Sequence, residues 1–230
     1  MYNLENIRNQ VIQCRTCSRL VNWRETVAAV RRREFKDQEY WGKPVPGFGD
    51  PDARVFVVGL APGAHGSNRT GRMFTGDASG VFLYRALFEA GFANLPTSTR
   101  ADDLLELKDL YISAICRCVP PDNKPTSEEI LSCLPFLVQE FLSFQQIKVV
   151  VALGKIAFDG VLKSIFPSGL TNQKPVFGHG KIFTPGLNHP YLVSSYHPSR
   201  QNTQTGRLTK EMFSEIWSLV KSCLTDNEVS

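Results

Sequence analysis

Several absences bound what this 230-residue sequence can encode. No apolar run approaches the ~20 residues of a membrane-spanning helix, so the sequence predicts none. The first residues, MYNLENIRNQVIQC, are polar and carry an acid, unlike a secretory signal, and we expect a cytoplasmic protein. There is no internal repeat and no low-complexity tail, so solenoid and disordered classes are not expected.

A strong charge of either sign is also missing. The formal net charge is +4, which permits nucleic-acid binding without proving it. Positive side chains are nevertheless grouped, in the run Arg31 to Arg33 and in the series Arg200, Arg207 and Lys210, which contains no acid. Each group is either a solvated face or a phosphate-binding surface.

The composition that is present is typical of a soluble globular protein. Hydrophobic residues make up 42% and charged residues 21% of the chain. We expect one domain over residues 1–230, which is long enough to bury a sizeable core. Two stretches rich in glycine and proline, 42–51 and 167–190, are predicted to be loops within this domain.

Strands and helices alternate along the chain. Apolar runs predict four strands, at 54–60, 110–116, 147–153 and 191–196. Helical patterns occur at 4–13, 80–92, from Thr126 or Ser127 onward, after Gly154 and at about 209–224. Two strands are almost wholly apolar, which indicates a parallel sheet covered on both faces. The predicted fold is a three-layer α/β/α structure with a central four-stranded parallel sheet.

The loop after the first strand carries the first candidate site. Its sequence, GLAPGAHGSNRTGRMFTGDASG, matches neither GxxxxGK[ST] nor GxGxxG, so it is not a known nucleotide loop. Its backbone N–H groups could hold an anion or a carbonyl oxygen. Phe74 and Asp77 suit a flat base and a water molecule. The alternative is that Asp77 only caps the following helix.

Polar residues also follow the second and fourth strands. Asn123, in CRCVPPDNKPT, can offer a donor and an acceptor to an amide-like edge. His197, in SYHPSRQNTQTGRLT, stands just past a strand end. A lone histidine is usually structural. Ligands of such sheets bind outside the carboxyl ends of the strands, however, and this favours a functional role for His197.

Six cysteines complete the set of candidate residues. Disulfides have little use in a cytosolic enzyme, so metal binding is considered first. Cys14 and Cys17 form a CxxC pair, and Cys118 and Cys133 can approach them from a strand end and the next helix. Four thiolates suit either zinc or an iron–sulfur cluster, and the spacing does not choose between them. The alternative is that Cys133 is simply buried, as we expect for Cys116 and Cys223.

Four sequence blocks occur in one order and together form a specific pattern: CRTC, GLAPGAHGSNRTGRMFTGDASG, CRCVPPDNKPT…C and YHPSRQNTQTGRLT. They resemble the iron–sulfur uracil-DNA glycosylases, and most closely the family-5 (type b) branch. The resemblance spans Cys14 to about Lys210. It implies a 4Fe–4S cluster held by Cys14, Cys17, Cys118 and Cys133, with Cys118 preferred to Cys116 because it directly precedes the Val-Pro-Pro turn. The cluster would act as a structural staple on an N-terminal cluster-binding segment.

The resemblance also implies roles in removing a flipped base from damaged DNA. Asp77 would position or deprotonate the attacking water, and His197 would stabilise the departing base. The base would be held by Gly59, Ala61, Gly63, Phe74 and Asn123. The loop after His197 would meet the DNA minor groove and phosphates through Ser199, Arg200, Gln201 and Arg207. The sequence gives no basis for an oligomer, so a monomer is expected.

Three departures from related branches affect specificity. Ala64-His65-Gly66 stands where other branches place a polar water-handling residue, and the family-5 pattern shares this difference. Ala114 stands where other branches have an asparagine that reads uracil. We therefore expect activity on hypoxanthine and other deaminated bases as well. Gln201 stands where a leucine wedge is common.

Two other classes of protein remain alternatives. A zinc-stapled nucleic-acid-binding module without catalysis would explain the cysteines but would leave Asp77, Asn123 and His197 unused. A small-molecule hydrolase acting on a nucleoside would not need the basic stretch from Arg200 to Lys210.

Overall fold

A computed structural model describes residues 2–167, 175–184 and 189–225. Within them, one sheet has the strand order β1-β3-β2-β4-β6-β5. The strands are β1 (Phe48–Gly49), β2 (Val55–Gly59), β3 (Leu110–Ala114), β4 (Val149–Leu153), β5 (Lys181–Phe183) and β6 (Tyr191–Ser195). The four central strands pair in parallel, and the two edge strands pair antiparallel.

The α/β class and the four predicted parallel strands are confirmed, but the strand count was too low. The two extra strands lie in the stretches 42–51 and 167–190, which were predicted to be loops. β1 and β5 have only two and three residues, and neither is buried. Such short edge strands carry no apolar pattern that a sequence could reveal. Residues 168–174 and 185–188 of the second stretch lie outside the described residues.

Helices cover both faces of the sheet. They are α1 (Leu4–Gln13), α2 (Ser18–Val30), α3 (Ser67–Thr70), α4 (Ala78–Glu89), α5 (Ser127–Phe141), α6 (Lys155–Ser164), α7 (Arg200–Gln204) and α8 (Lys210–Thr225). One core lies between the sheet and α4 and α8, and a second lies between the sheet and α5 and α6. No helix in the described ranges is long and apolar enough to cross a membrane.

Local sequence explains where α5 begins and why α2 was not predicted. The Thr126 hydroxyl accepts from the Glu129 N–H, and the Glu129 carboxylate accepts from the Thr126 N–H, which is a capping box for α5. α2 was not predicted, because its inward face carries the buried Arg24 beside apolar residues and so breaks the helical pattern.

The strand order creates a crevice at the carboxyl edge of the sheet. The chain leaves β2 toward β3 on one side, and it leaves β4 toward β6 on the other. The carboxyl ends of the neighbouring strands β2 and β4 therefore flank a topological switch point, where open α/β sheets bind ligands.

Candidate active site

A cavity of about 350 Å³ opens at this carboxyl edge of the sheet. Phe74, Asp77, Asn123 and His197 all line it, although they come from three separate loops. So do the predicted positions Gly59, Ala61, Gly63, Ser199 and Gln201. The structure therefore brings together every predicted catalytic and base-binding residue, and their individual roles stay predictions.

Phe74 forms part of the cavity wall in a conformation that its glycine neighbours permit. It is 8% exposed, and its φ of 52° is unusual for a residue with a side chain. A Cβ on Gly80 would lie 1.7 Å from the Phe74 carbonyl oxygen, so only glycine fits there. The Phe74 ring lies 28° from parallel to the His197 ring, with 5.8 Å between the centroids. A flat face is thus fixed inside the cavity.

The carboxylate of Asp77 has two separate surroundings. Oδ1 accepts a hydrogen bond of 2.9 Å from the Gly80 N–H and so caps α4. Oδ2 lies against the backbone of Gly63 and Gly66, where a Cβ would approach it to 2.8 Å and 2.0 Å. Asp77 therefore caps α4 through one oxygen, as the alternative proposed, but it does not only cap the helix, because it also lines the cavity.

Burial sets the proton affinity of Asp77. It raises the pKa of the carboxyl above the ordinary value, while the N–H groups of Gly80 and Ser79 and the charge of Arg69 act in the opposite direction. A carboxylate with a raised pKa is a better proton acceptor, which suits a general base.

His197 lies directly after β6 and is held close to the chain that follows β4. A Cβ on Gly154, which has a φ of 94°, would lie 3.2 Å from the His197 Cβ. The Asn202 amide donates to the His197 carbonyl at 2.9 Å. Burial lowers the pKa of His197 to about 4, so the ring is neutral near pH 7. It can still donate a hydrogen bond to a developing anion.

Asn123 stands at the exposed mouth of the cavity. It follows Pro120 and Pro121 in a 3₁₀ turn, and both it and Asp122 have left-handed backbone, with φ values of 56° and 53°. Asp122 also lines the cavity and was missed by sequence reasoning, as were Leu60, Ser67, Met73 and Ser79. No motif singled them out, since polar and small residues are common throughout these loops.

The segment after His197 is a short helix rather than the predicted loop. Ser199 caps α7, its hydroxyl accepting from the Asn202 N–H at 3.4 Å. Arg200 is exposed and does not line the cavity. The Arg207 guanidinium lies 4.8 Å from the centre of the Tyr196 ring, in a neighbouring groove of about 290 Å³ that shares Leu60 and His197 with the cavity.

The cysteines lie where α1, α2, β3 and α5 meet. Cys14 ends α1, Cys17 precedes α2, Cys118 follows β3 and Cys133 is on α5. The thiols are within electrostatic range of one another: Cys17 interacts with Cys14 and Cys133, and so does Cys118. All six cysteines of the chain are free thiols. No three of the described His, Cys, Asp or Glu side chains converge as ligands of a single ion would.

Buried cations beside these thiols fit an anionic cluster. Arg24 is 2% exposed and donates from Nη1 to the Cys118 Sγ at 3.0 Å. Among the described residues, Nε of Arg24 has no hydrogen-bond partner, and neither do Nε and Nη1 of the buried Arg117. Unpaired buried donors are costly, so a negatively charged acceptor is expected nearby. Cys116 also lies within interaction range of Cys133, so the preference for Cys118 still depends on the resemblance.

The comparisons with known proteins agree with this site. A sequence model of the uracil DNA glycosylase superfamily matches residues 46–221. The chain is 53% identical to the type-5 uracil-DNA glycosylase of Thermus thermophilus over 88% of this chain and 90% of that protein. It is 46% identical to the type-5 enzyme of Pyrobaculum aerophilum, over 90% of this chain and 88% of that protein.

A type-4 uracil-DNA glycosylase of Pyrobaculum aerophilum is more distant, at 32% identity over 76% of this chain and 82% of that protein. The family model, the type-5 relatives and the α/β fold all agree. The chain belongs to the uracil-DNA glycosylase superfamily.

Proposed function

We propose that this protein is a monofunctional DNA glycosylase that hydrolyses the N-glycosidic bond of uracil in DNA and leaves an abasic site. The observation that carries this proposal is the convergence of Phe74, Asp77, Asn123 and His197 on one cavity of about 350 Å³. Ligand pockets of small molecules begin near this size, so one nucleobase is a suitable occupant.

Base binding begins with extrusion of the nucleotide from the duplex, since the glycosidic bond is not reachable inside the stack. The Phe74 ring offers its face to the base, and such stacking contributes about 1–3 kcal/mol per base. Asn123 offers an amide donor and acceptor from the mouth of the cavity. Gly59, Ala61 and Gly63 line the same cavity.

Bond cleavage builds positive charge on the sugar and negative charge on the departing base. The neutral His197 ring donates a hydrogen bond to the base oxygen where that negative charge gathers. Asp77 accepts a proton from the attacking water and balances the charge on the sugar. Its capping bond to Gly80 holds the carboxylate in place without using both oxygens.

The cavity supports a wider choice of base than uracil alone. Ala114 lines it with a methyl group, where the resemblance places an asparagine in other branches. Without that amide, discrimination between lactam-bearing bases is weaker, because a hydrogen-bonding site rejects poorly matched ligands through its unpaired polar groups. We expect hypoxanthine and other deaminated bases to be removed too. Excision of uracil only, from a panel of damaged duplexes, would contradict this expectation.

We also propose that Cys14, Cys17, Cys118 and Cys133 hold a 4Fe–4S cluster. When bound, the cluster supplies a covalent staple between the N-terminal helices and the β3–α5 unit. The support is the proximity of the four thiols and the buried guanidinium groups beside them. Reduced thiolate ligands and a DNA substrate suit an enzyme of the cytoplasm.

The DNA duplex would lie across the mouth of the cavity. Gln201 lines that mouth, and Arg200 at the start of α7 is exposed beside it. Arg207 lines the neighbouring groove, and we propose that it contacts DNA phosphates there. The comparisons do not support the alternative of a non-catalytic zinc module, since every relative reported above is named as a glycosylase.

Release of free uracil from a uracil-containing oligonucleotide, with alkaline cleavage of the abasic product, tests the function. Free deoxyuridine is the matched control. We expect cleavage of the oligonucleotide and not of the nucleoside. The opposite preference would identify a nucleoside hydrolase, and failure on both would overturn the proposal. Iron analysis and a visible spectrum of the same sample test the cluster, and zinc without iron would contradict it.

A further inference from the structure

A chain of hydrogen bonds connects the cysteine site with the cavity. At its first step, Arg24 donates from Nη1 to the Cys118 Sγ at 3.0 Å and to the Cys14 carbonyl at 3.3 Å. Arg24 belongs to α2 and is 2% exposed. Its closest carboxylate is that of Glu25, 3.8 Å away. A buried guanidinium needs anionic partners, and the Cys118 thiol lies closer to Arg24 than the half-exposed Glu25 carboxylate does.

The second hydrogen bond of this chain reaches the loop that contacts the Asp77 carboxylate. The Asn68 side-chain amide donates to the Arg24 carbonyl at 3.3 Å. Asn68 is fully buried, at 0% exposed, on the short helix α3. Its own N–H donates to the Gly63 carbonyl at 3.0 Å, and its carbonyl accepts from Gly42. Gly63 and Gly66 are the glycines whose backbone lies against Asp77 Oδ2.

Arg24 therefore contacts the cysteine site through its side chain and the catalytic loop through its backbone. We infer that Arg24 and Asn68 are positioning residues that couple the thiolate-bound cluster to the Asp77 carboxylate, so that the state of the cluster and the geometry of base excision influence each other. This inference rests on the proposed function. Close-packed interiors have few alternative arrangements, so packed side chains and hydrogen bonds of this kind can carry a coupling between two sites.

Such a coupling is reciprocal by thermodynamic necessity. If the cluster biases the catalytic loop, then a base seated in the cavity biases the cluster by the same free energy. The cluster's midpoint potential should differ between enzyme on a duplex with a non-cleavable uracil nucleotide and enzyme on the same duplex without a lesion. The undamaged duplex removes the contribution of the phosphates, which is common to both.

The experiment compares three proteins: wild type, Asn68→Ala and Asn94→Ala. Asn94→Ala is the control. It loses a side-chain amide that donates to the Leu104 carbonyl and accepts from the Glu106 N–H in a different loop. We expect the lesion-dependent potential difference in wild type and Asn94→Ala, and its loss in Asn68→Ala. We also expect Asn68→Ala to lower the single-turnover excision rate about tenfold, within the range for mutations along a coupling network, with DNA affinity unchanged.

Arg24→Lys keeps the positive charge but loses the planar guanidinium with its several hydrogen-bond donors. We expect this variant to change the midpoint potential of the cluster in the DNA-free protein as well. Asn68→Ala should leave that DNA-free potential unchanged. A lesion-dependent difference that persists in Asn68→Ala, or that is absent from wild type, would overturn the inference. Neither result would touch the proposed function, which fails only if wild type releases no base. A protein without iron would overturn the inference and the cofactor proposal together.

Discussion

At the scale of single residues, Asp77 combines two tasks that one substitution can separate. Asparagine caps helices as well as aspartate does, so Asp77→Asn should keep the Gly80 bond and the fold. It removes the proton acceptor, and we expect the excision rate to fall by about 10²–10⁴. Single-turnover kinetics with matched thermal unfolding checks both parts. An active Asp77→Asn would assign water activation to another group.

The pH profile tests the same residue independently. Because burial raises the pKa of Asp77, the wild-type rate should fall with decreasing pH through a midpoint above the ordinary carboxyl value of 3.8. Asp77→Asn should lack this acid limb. An identical limb in both proteins would assign the titration to a different group.

His197 should make the stability of the folded protein depend on pH. Its folded pKa of about 4 lies below the ordinary 6.5, so the unfolded chain binds more protons between these values. Stability is therefore lost as pH falls through this window, by about 2 kcal/mol between pH 7 and pH 5. Urea unfolding of wild type and His197→Asn at both pH values isolates this contribution. An equal loss in the variant would contradict it.

At the scale of elements, the loop between β2 and α4 holds Asp77 by close backbone approach. A Cβ at Gly66 would lie 2.0 Å from Asp77 Oδ2, so Gly66→Ala must displace the carboxylate. We expect a rate loss of roughly 10- to 100-fold, because small misplacements of reacting groups are costly. Gly91→Ala is the control, since a Cβ there meets no atom of the described residues within 4 Å and only the φ of 81° would be strained in alanine. It should lose stability and keep its rate.

The buried ion pair between Arg117 and Glu140 ties β3's end to α5. Both side chains are 1% exposed, and Nη2 and Oε2 are 2.5 Å apart. Glu140→Gln leaves a buried cation uncompensated, and we expect a loss of about 3–5 kcal/mol in the free energy of unfolding. The exposed pair of Arg85 and Glu89 is the comparison, and Glu89→Gln should cost less than about 1 kcal/mol. Equal losses in urea titrations would contradict this.

Many of the strands and helices were predictable from the sequence. The four central strands are runs rich in apolar residues, and two of them, β2 and β4, are wholly apolar. The start of α5 shows its N-cap and acidic first turn in the sequence. The edge strands were not predictable, because two or three half-exposed residues have no period. Helix α2 was not predicted because Arg24 faces inward. In the sequence, an arginine at that position is read as a surface residue unless the cysteine site beside it is known.

At the scale of the whole molecule, the topology explains why distant motifs meet. Parallel strands place the loops after β2, β3 and β6 at one edge, so Phe74, Asn123 and His197 could be predicted to converge. The sequence could not show that Asp122 joins them or that Asn68 links the loop to α2, because these contacts depend on side-chain packing between elements remote in sequence.

In the proposed function, one cavity at the carboxyl edge of the sheet receives an extruded base. The most direct measurement is a crystal structure of Asp77→Asn bound to a uracil-containing duplex. We expect the uracil in the cavity, stacked on Phe74, with the His197 ring within hydrogen-bond distance of a base oxygen. A uracil that stays stacked in the duplex, or that binds elsewhere on the protein, would contradict it.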